Sequence, residues 1–382
     1  MRTKTWLIDA LSCVLVVGCS SSSHGAGTGG AGSPSLGSSV SDKAAPGVGG
    51  QQSASAPVAK DSGTPKDGGP KASSDAASPP DAGTSAGSTA KAGNPDGKCS
   101  QALPQEAQAV DASHPTTVVG TGTVASCTFA ALSAAIAKAG VITFDCGAAP
   151  ATIAVTTTLE LPTDKSTVID GGNKVTLDGG GAVRILSWNS GDWQKNTNTL
   201  TLQHLTLANG KASGTTMIPM RPAPCSQGYN DGQGGALNMR DGSLRAIDVT
   251  FLNNQAAELG PDTGGGAIYL QGCKPIYIAS CTFKGNKASN AGAMGSLFAT
   301  DFIYDSLFDG NAAIGHGANN DDASMCSFMN NGQNEIGSGG NGGAIYNDGV
   351  AMDVTICGTQ IRNNTAGAFG AAVFFTSNDQ SK

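Results

Sequence analysis

Short runs of alternating or continuous apolar residues punctuate the chain from position 141 onward. Val141-Ile142-Thr143-Phe144, Thr152-Ile153-Ala154-Val155, Leu159-Glu160-Leu161, Thr167-Val168-Ile169 and Val175-Thr176-Leu177 are separated by Gly, Asp and Pro. Such runs, bounded by turn residues, predict strands. Further on the pattern becomes a repeat. Gly265-Gly266-Ala267-Ile268 leads into Phe283-Lys284-Gly285-Asn286, Gly234-Gly235-Ala236-Leu237 into Phe251-Leu252-Asn253-Asn254, and Gly342-Gly343-Ala344-Ile345 into Ile361-Arg362-Asn363-Asn364. Looser copies pair Gly292-Ala293-Met294 with Phe308-Asp309-Gly310-Asn311, and Gly317-Ala318-Asn319 with Phe328-Met329-Asn330-Asn331. Alanines 236, 267, 293, 318 and 344 lie 31, 26, 25 and 26 residues apart. A period of that size with strands inside it predicts stacked repeats, each one coil of an all-β solenoid.

The residue types suit stacking. Paired glycines mark places where one coil's backbone lies against the next and a side chain would clash. Phe251, Phe283, Phe308, Phe328 and Ile361 form an expected inward apolar column. Asn254, Asn286, Asn311, Asn331 and Asn364 fall three residues later, at a turn where Asn tolerates left-handed backbone and each amide can bond the Asn of the next coil. Leu205 to Ala212 fits the same half-motif, with Leu207 in the Phe place.

These paired motifs resemble the repeats of polymorphic outer-membrane adhesins. The region from about 120 to 375, with Val168-Ile169-Asp170-Gly171-Gly172 near its start, resembles the wider pectin-lyase-like superfamily. The resemblance implies a single-stranded right-handed parallel β-helix. It also implies that the amphipathic helix expected over 128–139 caps the first coil, where it would cover an exposed sheet edge. It does not specify an activity, because lyases, hydrolases, epimerases and adhesins share that fold.

Composition divides the chain into three. Residues 1–18 carry Arg2 and Lys4 and then an apolar run interrupted only by Asp9, and read as an export signal. Leu15-Val16-Val17-Gly18-Cys19 resembles a bacterial lipobox, which implies that Cys19 is a lipid-modified first residue and that Ser20 permits sorting to the outer membrane or cell surface. Residues 19–98 are rich in Ser, Gly, Ala and Pro and nearly lack large apolar side chains, so they are expected to be a disordered tether. A flexible chain of that length spans roughly 50 Å. The folded domain is expected over 99–382.

Charge and cysteine usage narrow the chemistry. The formal net charge is −7. Six Lys balance six Asp within the tether, so the excess acid belongs to the folded part. No basic cluster exists to hold nucleic acid or an anionic membrane surface, which leaves the lipid anchor as the only membrane contact. Eight cysteines remain after Cys13 and Cys19, an even number that in an exported chain implies disulfides. Cys127 and Cys146, bracketing the expected helix, are the best pair, and Cys326 with Cys357 is a weaker one on adjacent coils. Scattered histidines and the absence of a C-x-x-C pair argue against a zinc site.

Insertions fall mostly before the Gly-Gly-Ala sites and should share one edge of the solenoid. Asp231, Glu258 and Asp262 are expected to approach one another there, with Arg221, as carboxylates do in a calcium site or an acid/base pair; otherwise they are solvated loop residues. Calcium is the one cofactor this arrangement leaves open. Tyr229, Trp188 and Trp193 are the candidate ligand-binding aromatics. Asp301 and Asp305 flank Phe302 and Tyr304 on a strand, with one of the group facing out. No catalytic signature of the superfamily is present. The leading expectation is therefore a surface-tethered, adhesin-like binder of a glycan or cell-surface molecule. The alternatives are a polysaccharide lyase or hydrolase and a structural envelope protein.

Overall fold

A computed structural model of the chain describes residues 92–219, 226–260, 263–315, 339–377 and 379. These residues belong to one compact unit within Ala82–Lys382. The expected signal, Cys19 and most of the expected tether lie outside them. So do Arg221, Asp262 and the repeat copy carrying Ala318, Phe328 and Asn331.

The fold is mostly β and its sheets are parallel. Eight strands follow one another across the largest sheet, from Thr117–Val119 to Asp353–Cys357. A second sheet runs in seven strands from Leu159–Glu160 to Val373–Phe375, and a third joins Lys287–Ala288, Ala312–Ala313 and Thr365–Ala366. Each repeat visits these sheets in turn, so a strand of these sheets pairs with its counterpart one repeat away.

That register converts the sequence period into three apolar columns. Leu159, Leu186, Leu237, Ile268, Met294, Ile345 and Val373 are successive partners in the second sheet. Ile142, Ile169, Leu202, Ala246, Ile278, Ile303 and Ile356 are successive partners in the first. Ile153, Leu177, Leu207, Phe251, Phe283, Phe308 and Ile361 form the third column. Phe283 lies between Phe251 and Phe308 with ring centroids 4.5 Å from each and planes nearly parallel.

The asparagines form a ladder beside that column. Asn286 accepts on Oδ1 from the backbone N–H and the amide of Asn254, at 2.9 and 3.0 Å, and donates its own amide to Phe251 O and Asn311 Oδ1. Asn311 and Asn364 continue the pattern. The left-handed residue is not the ladder Asn but the one before it, at Asn253, Gly285, Gly310 and Asn363, with φ between 53° and 67°. An Asn or Gly there turns the chain so that the next side chain points inward. Replacing Asn286 with Ala leaves the buried Asn254 N–H without its side-chain partner and removes the amide bonds to Phe251 O and Asn311 Oδ1. We expect a loss of about 2–4 kcal/mol, read as a lower urea midpoint, and a smaller loss for Asn364→Ala in the more exposed last repeat.

The second glycine of each pair is required by close approach. A Cβ on Gly266 would lie 2.1 Å from Gly292 O, and one on Gly292 would lie 2.1 Å from Gly343 O. Met294 pairs directly with Ile345 and Phe308 directly with Ile361. In the described sheets the repeat after 294–313 is therefore the one at 345–366, and the copy expected at 317–331 lies outside the described residues.

The helix forms over Phe129–Ile136, with Thr128 accepting the Ala131 N–H as N-cap and Leu132 and Ile136 buried in the main core. Cys127 and Cys146 are joined across it. Cys357 bonds to Cys99 rather than to Cys326, because a strap ahead of the helix runs back over Asp305 and Gly358 and brings Cys99 beside it. This strap also moves the domain boundary. Ala92 N–H binds Asp248, Gly93 N–H binds Thr282, and Asn94 binds Asp305 O and Gly358 O, so 92–98 are part of the fold rather than the tether.

Candidate functional site

The insertion ahead of Gly234 folds into an antiparallel hairpin, Met217–Pro219 with Ser226–Tyr229. Asp231 closes its base. One carboxyl oxygen accepts the N–H groups of Thr215 and Thr216 at 2.9 and 2.8 Å, and the other accepts the Thr215 hydroxyl. Partial burial pushes this carboxyl up, but the hydrogen bonds from Thr215 and Thr216 outweigh it and hold it below the ordinary aspartate range. Under the hairpin, Arg184 from the preceding repeat donates to the carbonyls of Asp231, Gln233 and Gly234. Arg184 carried no signal in the sequence, since nothing local marks a cation that serves a backbone turn some fifty residues ahead.

Beside the hairpin lies a surface pocket of about 370 Å³, lined by Lys211, Tyr229, Gln255, Ala257, Glu258 and Leu259 among others. Tyr229 is seated on glycine: a Cβ at Gly214 would fall 2.1 Å from its ring. Gln255 holds Glu258 at 2.9 Å, and Lys287 faces the same carboxylate at 3.8 Å. Lys211, Gln255 and Lys287 are successive bridge partners, so the stacking of repeats sets them in one row. The Lys211 ammonium has no hydrogen bond or ion pair among the described residues. The pocket thus offers an apolar floor, one aromatic ring, an amide, a carboxylate and cations within reach of one ligand.

Two of the expected residues, Tyr229 and Glu258, meet here. Asp231 does not line the pocket, and its carboxyl is occupied by the hairpin base, so the expected convergence of Asp231 with Glu258 into an acid/base pair is corrected. Asp262 and Arg221 lie outside the described residues. Among the described residues, no three His, Cys, Asp or Glu side chains gather in a way that would hold a metal ion.

The aromatic expectations divide. Trp188 is fully buried, paired in register with Met239 in the second sheet, and is not a surface residue. Alternation explains it, because Leu186 and Trp188 share the inward face of their strand. Trp193 is exposed. It packs edge-on against Phe298 with centroids 5.8 Å apart, and the Arg240 guanidinium lies 5.1 Å from its ring centre.

On the strand Thr300–Tyr304 both aromatics face outward and Asp301 faces inward, fully buried. Tyr277 and Phe302 stack at 5.1 Å. Leu103 and Ala107 of the strap pack with Tyr277, Tyr304, Ile247 and Ala279 into a small satellite core. Tyr277 and Tyr304 hold the strap down, and with Phe302, Gln101, Pro104 and Thr355 they also line a second surface pocket of about 360 Å³. Further along, Val110 and Gln203 exchange hydrogen bonds at 2.9 Å, and Gln203 and His204 both engage Asp170. Comparison with known protein families, with curated proteins and with solved structures finds no match, so the functional reading of this chain rests on its own geometry.

Proposed function

We propose that the parallel sheets are the faces of one right-handed parallel β-helix, and that this is an exported, lipid-anchored protein that binds a polysaccharide or another cell-surface glycan at the hairpin-edge pocket. Three apolar columns that keep register over seven repeats support the β-helix reading. So does the resemblance to the pectin-lyase-like superfamily. The apolar run ending at Cys19 supports the anchor, and Cys19→Ala should then release the protein from membranes.

The pocket carries the functional reading. Sugar rings pair an apolar face with a rim of hydroxyls, and they suit a site with one aromatic ring and a few fixed polar groups. Tyr229 supplies the ring; Gln255, Glu258 and Lys211 supply donors and acceptors. Binding is favoured over cleavage because Asp231, one of the three carboxylates of the expected constellation, is engaged by Thr215 and Thr216.

Affinity electrophoresis of the full-length protein against pectic, alginate and glycosaminoglycan polysaccharides tests this. We expect retardation by at least one of them, and an affinity about tenfold weaker for Tyr229→Ala, equivalent to about 1.4 kcal/mol. The thermal midpoint should be little changed. Retardation that is indifferent to Tyr229 would move the site elsewhere, and no retardation by any polysaccharide would leave the structural-envelope reading.

A further inference from the structure

Asp301 is fully buried on the inward face of its strand, with Ile276 and Val354 as its register partners in the neighbouring repeats. One carboxyl oxygen, Oδ2, accepts the Ser296 hydroxyl at 2.7 Å and the Asn347 amide at 2.6 Å. Asn347 belongs to the next repeat, so this cluster ties strand Ile345–Asp348 to the repeat before it. The same amide also donates to Ser296 Oγ at 2.5 Å.

Two oxygens are left over. Asp301 Oδ1 and Asn347 Oδ1 are both buried and have no hydrogen-bond partner. Both are acceptors if the acid is ionised, and no donor reaches either. Among the described residues, no Lys, Arg or His bears on the carboxyl. Ile276, Val354, Ser296 and Asn347 on the flanking strands are uncharged. The titratable neighbour is Cys273, whose thiol is pushed far above its usual range by burial and then by Asp301 itself. Beyond it lies Asp241, another acid. A buried carboxylate in such surroundings would be neither paired nor fully hydrogen-bonded.

One proton resolves the cluster. Placed on Asp301 Oδ1, it donates to Asn347 Oδ1 while the Asn347 amide donates back to Oδ2, closing an acid–amide ring. We infer that Asp301 is held as the neutral acid and that its shared proton is a clasp fastening the last described repeat, 345–375, onto the repeat before it. Losing that proton leaves an unpaired charge inside the core and loosens the clasp.

Burial accordingly raises this carboxyl to about 7, against the hydrogen bonds from Ser296 and Asn347, which pull it down. The sign follows. Below the unfolded-state value of 3.8 both states are protonated and the site contributes no pH dependence. Between 3.8 and about 7 the folded state holds one proton more, so stability falls as pH rises, and above that it is flat at its lowest.

Asp301→Asn tests the clasp, because an amide at 301 keeps the ring with a permanent N–H donor to Asn347. Amide hydrogen exchange of full-length protein, corrected for intrinsic rates, should show the protection of 345–357 falling up to tenfold per pH unit in the wild type, relative to the variant, between pH 4 and 7. At pH 4 the two proteins should be alike, and at pH 8 the variant should be the better protected. Equal pH slopes, or a variant less protected throughout, would overturn the inference. Should the variant fail to fold, carboxyl 13C resonances of the wild type decide: one aspartate titrating near neutrality sustains the clasp, and all titrating in the ordinary range of about 4 would refute it.

Discussion

Phe283→Asp should leave the domain without a cooperative unfolding transition and open to protease over its whole length. Phe283 is fully buried and is stacked on both faces by Phe251 and Phe308. Removing such a ring costs about 3–5 kcal/mol, and placing an unpaired carboxylate in the gap adds several more. The sum approaches the roughly 5–15 kcal/mol that a whole domain possesses. No cation stands nearby in the column, since its members are Leu207, the phenylalanines and Ile361. Phe283→Leu is the control. Leu207 already occupies the equivalent place two repeats away, and Leu at 283 should cost about 1 kcal/mol and keep the fold. A soluble, protease-resistant Phe283→Asp protein would mean that this face of the strand is not interior.

That column was legible because it depends on local spacing. Phe and Asn three residues apart place one side chain inward on a strand and the next inward at its turn, and a regular period lifts both into columns. The Gly-Gly-Ala sites were legible for the same reason, since a backbone packed 2.1 Å from a would-be Cβ tolerates only glycine. What local spacing cannot count is how many copies pair. The copy at 317–331 carries the right residues at the right interval, yet strands 294–297 and 345–348 pair directly with one another and that copy lies outside the described residues. A motif records the ability to stack, whereas pairing is decided by which neighbour arrives at the free edge.

The site was less legible, because its residues come from different repeats and their partners are backbone groups. Asp231 looked like a free carboxylate in a polar loop, and only the folded hairpin shows two N–H groups and a hydroxyl directed at it. Trp188 and Trp193 flank one turn, and strand alternation sends one inward while the turn leaves the other over Gly272 and Phe298. Asp301 is the sharper case. Its sequence neighbours Phe302 and Tyr304 suggested an exposed strand, but alternation turns those aromatics outward and leaves the aspartate as the side chain facing the core.

The strap was invisible in the sequence, and the second large effect belongs to it. Replacing Cys99 and Cys357 together with Ala should destabilise the protein more than removing Cys127 and Cys146. The two bridges span 258 and 19 residues. On the chain-entropy account, closing the longer loop restricts the unfolded chain by about 5.5 kcal/mol and the shorter by about 3, a gap of roughly 2 kcal/mol. Native contacts make the outcome readable by place as well. Without the bridge, the strap keeps Asn94 on Asp305 and Gly358, Leu103 and Ala107 on the aromatic patch, and Val110 on Gln203. The parallel sheets should therefore persist at low denaturant while the backbone around Cys99 becomes the first to exchange and to be cut. Calorimetry and limited proteolysis of the two double variants measure both parts. If losing the Cys127–Cys146 bridge proves the costlier, the helix end governs stability; if the strap stays protected without its bridge, packing on Tyr277 and Tyr304 alone holds it in place.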